Sequence, residues 1–273
     1  MTDANDALAD AQLKKLQTVL LEMLTELDRI CRSNGIDYTL SGGTMLGAIR
    51  HGGFIPWDDD VDVSMLRKDY DKLREICKTR LDSDKYFFQD NTTDPEYPWG
   101  YGRLRRKNSE FVRKGQEHMK MRTGIFLDVF PNDYIPDFYP LRLAHSFCCF
   151  IVRKVLYSES GKVVSNKWLE RSIYSVLSKI PRKAAFSVCE KLIVQKPSKF
   201  CRCLTFPPPK SRNLGTDVKF FDEYIDVSFE GHKFRATKLY KEYLEFKYGD
   251  YMTLPPPSMR HWHPAAEITF PER

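Results

Sequence analysis

The sequence predicts an α+β fold. Strand-like segments crowd the first half, and helical periods fill most of the second. The 273 residues, 42% hydrophobic and 13% aromatic, are enough to bury a substantial core. A division near residue 136 is predicted, with a strand-rich core at 1–135 and a mainly helical, basic region at 136–273 that completes the site.

The elements follow in order. Residues 6–33 place Leu13, Leu16, Leu20, Met23, Leu24, Leu27, Ile30 and Cys31 at helical spacing, which predicts an amphipathic helix. Asn34-Gly35 stops it, since glycine suits a left-handed cap. Residues 36–40 read as a strand, and 67–81 as a helix with Tyr70, Leu73, Ile76, Cys77 and Leu81 on one side. Tyr86-Phe87-Phe88 reads as a short strand. Residues 103–107 read as a basic strand, with Glu110-Phe111-Val112 placed to pair with it. Residues 125–130 read as a buried strand ended by Pro131-Asn132-Asp133. Helices are expected at about 139–157, 166–179 and 182–195, the last two split by Pro181. Residues 197–216 read as loop, 217–235 as a hairpin or short strands, and 236–248 as a helix stopped by Gly249.

Charge is uneven. The net charge is +6, yet residues 1–135 sum to −3 and residues 136–273 to +9. Within 138–216 there are 15 basic and 3 acidic residues. That region reads as a solvated helical face, as a contact with an anionic membrane or lipid-linked precursor, or as a nucleic-acid surface. The last is disfavoured, because no helix-turn-helix or RNP-type motif is present. Seven cysteines occur without CxxC or zinc spacing, which predicts free thiols in a reducing compartment. The polar, acidic N-terminus does not read as a signal peptide, and no apolar run approaches the ~20 residues of a membrane span. The expected location is cytoplasmic, free or peripheral at the inner face of the membrane.

The chemistry concentrates in residues 40–65, LSGGTMLGAIRHGGFIPWDDDVDVSM. Ser41-Gly42-Gly43-Thr44 opens a short helix, where glycine lets backbone approach a phosphate and the helix start offers N–H groups to an anion. Asp60 and Asp62, two apart on a predicted strand, share a face. Paired carboxylates repel unless a cation neutralises them, and hard divalent metals, Mg²⁺ first, suit them. The bland alternative is an exposed acidic loop without metal. Asp128 sits inside the apolar run IFLDVF and needs a partner, either a metal or an ion pair. Asp58 and Asp59 precede the strand as solvated acids or further ligands.

Gly42-Gly43, Asp60-Val61-Asp62-Val63 and Asp128 together resemble the nucleotidyltransferase (polymerase β-like) superfamily, which implies a mixed sheet with flanking helices. The run SGGTMLGAIRHGGFIPWDDDVDV is similar to the signature of the LicD family of bacterial phosphocholine transferases and fukutin-type ribitol-phosphate transferases. GYGRLRRKNSEF, GIFLDVFPND, FEGHKF and YLEFKYGDYMTLPP followed by His261 extend that resemblance over about residues 15–265. No cysteine-rich zinc insert is present.

The resemblance implies phosphocholine transfer from CDP-choline to a hydroxyl of a lipid-linked cell-surface glycan precursor of lipopolysaccharide or teichoic acid type. Ribitol phosphate or another CDP-alcohol, an NTP donor and a non-enzymatic scaffold are the alternatives. It implies Mg²⁺, with Mn²⁺ as substitute, on Asp60, Asp62 and Asp128, and no nucleic-acid partner. Ser41, Gly42, Gly43 and Thr44 would cradle the donor diphosphate, and Asp128 could instead take the acceptor's proton. Arg50 would hold a phosphate or pair with an acid, and Arg103, Arg105 and Lys107 are phosphate contacts or a solvated strand face. Trp57, Trp99 and Tyr101 are candidate walls of a choline cage, or packing residues. His51, His261 and His263 read as structural at least as readily as catalytic.

Overall fold

The computed structural model describes residues 2–260 and 265–272. The chain opens on helix α1 (Thr2–Ser33), whose apolar stripe from Leu13 to Cys31 is buried. β1 (Thr39–Leu40), α2 (Gly42–His51), β2 (Asp62–Leu66) and α3 (Arg67–Arg80) follow. Next come β3 (Tyr86–Gln89), β4 (Gly102–Arg106), β5 (Glu110–Arg113) and β6 (Phe126–Ile135). Three helices, α4 (Tyr139–Val164), α5 (Trp168–Leu177) and α6 (Arg182–Leu192), come before β7 (Phe200–Arg202) and β8 (Thr216–Asp217). β9 (Tyr224–Phe229), β10 (His232–Thr237), α7 (Tyr240–Tyr248) and β11 (Ala265–Thr269) end the described chain.

The fold is α+β, built on a mixed seven-stranded sheet. Its order is β1-β2-β6-β4-β3, with β7 paired to the far end of β6 and β8 beyond it. β2 and β6 run parallel and the other pairs antiparallel. The parallel register aligns Asp62 with Asp128. One apolar core runs from α1 through the sheet to Phe229, Phe234 and Leu244 of β9, β10 and α7. The α4–α6 region keeps small clusters of its own, around Val152, Leu156 and Ala185 and around Ile135, Cys149 and Leu204. All seven cysteines are free thiols. Among the described residues, no helix is long and apolar enough to cross a membrane.

Five local expectations are corrected. Residues 197–216, expected as loop, hold β7, which pairs with the end of β6. Glu110–Val112 do not pair with residues 103–107, because β4 is already bonded on both edges by β3 and β6; β5 pairs with β11 instead. Pro131 does not end its strand. The Asp128 amide donates to Val61, so alternate amides face β2 and the Pro131 nitrogen faces the opposite edge. On that edge β4 has finished at Val129 and β7 begins only at Asp133, so no ladder bond is lost. The helix expected at 236–248 begins at Tyr240, because residues up to Thr237 pair with β9. Strand β2 starts at Asp62, which leaves Asp60 in the preceding loop.

Candidate active site

The site forms where β1, α2 and β2 meet. The Asp62 carbonyl accepts the Ser41 amide at 3.0 Å, and the Asp62 amide donates to Thr44 Oγ1 at 2.9 Å. The first turn of α2 is therefore tied to the start of β2. Ser41 caps α2 without a side-chain hydrogen bond. Gly42 holds φ +58°, a left-handed conformation that favours glycine. A Cβ at Gly42 would lie 2.9 Å from Asp62 Oδ2, and one at Gly43 only 2.7 Å from Asp58 Oδ2. Both glycines make room for carboxylates, a use that sequence inspection assigns to phosphate.

The acids converge. Asp62 and Asp128 are direct neighbours across β2 and β6. Asp58, Asp59 and Asp60 can each place one carboxylate oxygen within 4.8 Å of the others. Gln17 of α1 donates to the Asp58 carbonyl at 3.0 Å and steadies that loop. Arg113 of β5 reaches Asp60 Oδ2 at 3.2 Å and Asp59 Oδ2 at 3.6 Å. Asp59 is buried, so the expectation of a solvated acid is corrected for this residue, which Arg113 reaches from β5. Burial first, then Asp60 and Asp59, push the Asp58 carboxyl up to about 8, while Arg113 opposes them. Burial, Asp60 and Asp128 push Asp62 well above the usual carboxylate range, and Lys247 pulls it back. Such a cluster of mutually repelling carboxylates fits a divalent cation.

Asp128 is buried and paired. Arg103 Nε donates to its Oδ1 at 2.6 Å, and the guanidinium lies 3.8 Å from the centre of the Phe126 ring. Burial disfavours the Arg103 charge, but Asp128 and the neighbouring Tyr97 and Tyr101 hold its pKa up. Arg105 is also buried and donates to Gln89 Oε1 and the Gly124 carbonyl. Lys107 Nζ bonds the Ser83 carbonyl. The basic strand is thus no solvated face at Arg103 and Arg105, because β4 lies in the middle of the sheet.

A cavity of about 530 Å³ opens over Ser41, Gly42, Gly43 and Asp62. Ser64, Phe130 and Asn132 of the sheet add to it, and late residues such as Arg202, Phe206, Tyr243 and Lys247 close it. The Tyr243 hydroxyl accepts the Gly42 amide at 3.3 Å and Lys247 Nζ at 3.4 Å. Sequence inspection missed Tyr243, Lys247 and Arg113; the i, i+4 spacing of the first two on one helix was the available signal. Thr44 is buried and is not among the residues that line the cavity. Arg50 turns away, bonding the Tyr251 carbonyl and His51. Trp57 lies against His51 and Arg260, and Trp99 stacks on Tyr157. Tyr101 packs on Phe130 and Phe206, both of which line the cavity. His261 and His263 lie outside the described residues.

Comparison with known proteins agrees with this geometry. Residues 35–171 match the family described as LicD/FKTN/FKRP, nucleotidyltransferase domain. The lipopolysaccharide cholinephosphotransferase LicD of Haemophilus influenzae is 28% identical over 267 residues, covering 89% of this chain and 92% of that protein. The ribitol 5-phosphate transferase FKRP of Homo sapiens is 40% identical over 47 residues, 17% of this chain and 10% of that one, and the Mus musculus protein matches to the same extent. The chain belongs to the LicD family.

Proposed function

We propose that the chain is a Mg²⁺-dependent phosphotransferase that moves phosphocholine from CDP-choline to a hydroxyl of a lipid-linked glycan precursor. The observation that carries the reading is the convergence of Asp58, Asp60, Asp62 and Asp128 beneath the glycine start of α2, beside a cavity of about 530 Å³. The near full-length similarity to the Haemophilus influenzae cholinephosphotransferase supports the choice of transferred group.

Asp60 and Asp62, with Asp58 adjacent, would hold the cation, with Mn²⁺ as substitute, which leaves Asp128 to the proton. When bound, it would neutralise charge on the donor diphosphate. The chain's own residues do the rest. The α2 start and Lys247 would orient the diphosphate. Phe130 and Phe206, backed by Tyr101, offer an aromatic surface to the quaternary ammonium. The acceptor oxygen bonds to the phosphorus that carries choline, the bond to the CMP oxygen breaks, and the acceptor proton passes to a carboxylate. Asp128, with Oδ1 held by Arg103, is our choice for that carboxylate.

The test is donor binding by calorimetry, and CMP release, with CDP-choline, CDP-ribitol and CTP in Mg²⁺. Binding and turnover confined to CDP-choline are expected. Preference for CDP-ribitol would favour the second reading, which the FKRP similarity supports, and binding of CTP alone would overturn both.

A further inference from the structure

The helical region carries a surface that the transferase reading does not use. On α5, Leu169, Ile173 and Val176 recur at i, i+4 and i+7, and all three are at least half exposed. Ile180 extends the stripe, and Trp168 at the helix start is 78% exposed. The α4 helix, packed beside α5, leaves Leu143, Phe147 and Ile151 uncovered. An amphipathic helix normally turns that stripe inward. Here α5 buries Tyr174 against Tyr157 and the α4 backbone at Gly161, and presents the stripe to solvent.

Charge around the stripe is mostly basic. Residues 138–216 hold 15 basic and 3 acidic residues. Two of those acids are already paired, Glu159 with Lys162 at 2.7 Å and Glu170 with Lys167 at 3.6 Å. Lys167 is largely exposed beside Trp168, while Arg171 and Lys179 flank the stripe. A nucleic acid would match the charge but not the apolar residues, and a protein groove would not call for a lysine fringe around a tryptophan. Apolar side chains, an interfacial tryptophan and snorkelling lysines together match the headgroup region of an anionic bilayer.

We infer that the exposed faces of α4 and α5 dock this protein onto an anionic lipid surface. The surface adjoins the cleft, because Arg153 of α4 donates to the Phe206 carbonyl and Phe206 lines the cavity. Docking would therefore set the cavity wall close to the headgroup layer. The inference stands whichever donor the cleft takes.

The test is co-sedimentation with vesicles of phosphatidylcholine alone and of phosphatidylcholine mixed with phosphatidylglycerol. The full chain is expected to pellet with the mixed vesicles only, and to be released by salt. Lys167→Gln, Arg171→Gln and Lys179→Gln should each weaken binding about fivefold. Ile173→Asp with Val176→Asp should abolish it, with circular dichroism and the unfolding midpoint unchanged because both positions face solvent. In a readout that needs no disruptive variant, tryptophan emission should shift to the blue on mixed vesicles, and Trp168→Phe should remove the shift. Protein left in the supernatant with mixed vesicles at low salt overturns the inference. So does binding unaffected by the aspartate pair, or a dimer that the pair dissolves and that ignores lipid.

Discussion

The acidic edge of the sheet and the α4–α5 hairpin break the same rule in opposite directions. Around the cleft, charge is buried: Asp59, Asp128, Asp133, Arg103 and Arg105 are all nearly inaccessible. On the hairpin, apolar surface is exposed at Phe147, Leu169, Ile173 and Val176. Polar groups inside and greasy groups outside are the informative exceptions in a folded protein. In the sheet, the structure supplies partners for the buried charges: Arg103 for Asp128, Arg67 for Asp133, Arg113 for Asp59 and Asp60. On the hairpin, Leu169, Ile173 and Val176 stay at least half exposed among the described residues. Charges paired within the fold and a surface proposed to meet lipid leave these two different marks, and experiments can separate them.

The largest effect is expected at the acidic edge. Asp62→Asn should lower CMP release by about a thousandfold, near the upper end for removing one electrostatic group from an active site. The unfolding midpoint of the metal-free protein should hold or rise, because a carboxyl that burial and its neighbours disfavour has gone. Turnover kept near wild type would remove Asp62 from the site.

Arg103→Met should be the most destabilising change in the sheet. It leaves the buried Asp128 carboxylate without its guanidinium, at a cost of about 3–5 kcal/mol measured by denaturant unfolding. Adding Asp128→Asn should recover much of that stability without recovering activity. A single variant as stable as wild type would show the pair to be dispensable to the fold.

Gly161→Ala tests the hairpin. A Cβ there would meet the Tyr174 ring at 2.6–2.8 Å, where α4 and α5 touch. Overpacking of this kind costs about 1–3 kcal/mol. Hydrogen exchange should quicken in α5 and leave β2 and β6 unchanged, with donor binding retained. Equal loosening of both regions would mean that they unfold as one unit.

The smallest expected effect is a pH dependence. Burial first, and Arg202, hold His145 below its usual value of about 6.5, against the Leu192 carbonyl and Asp133. Below that value the unfolded chain binds a proton that the folded chain refuses. The stabilisation is therefore complete above pH ~6.5 and is lost as pH falls toward the depressed folded value. His145→Gln should flatten this slope in the α4–α6 region. An unchanged slope would assign it to other groups.

Local pattern was enough for much of the chain. The 3.6-residue period of Leu13 to Cys31 marked α1, and apolar runs marked β2 and β6, because these segments bury the residues that define their period. Asp60 and Asp62 stood out by their two-residue spacing, and Asp128 as an acid inside an apolar run. Strand partners were not legible. β5 pairs with β11, some 150 residues away, and Pro131 continues a strand only because its nitrogen faces a gap between β4 and β7.

The sequence by itself determined the α+β class, the family signature and the basic bias of the second half, and it singled out Asp60, Asp62 and Asp128 as candidates. Each of these is written in neighbouring residues or in composition. Tertiary structure alone decided that Asp62 stands beside Asp128, and that Gly42 and Gly43 clear space for carboxylates. It also brought Tyr243 and Lys247 to the start of α2, and turned the apolar stripe of α5 outward. Those facts depend on parallel register and on packing between distant segments, where the interaction belongs to the pair and neither partner carries it alone.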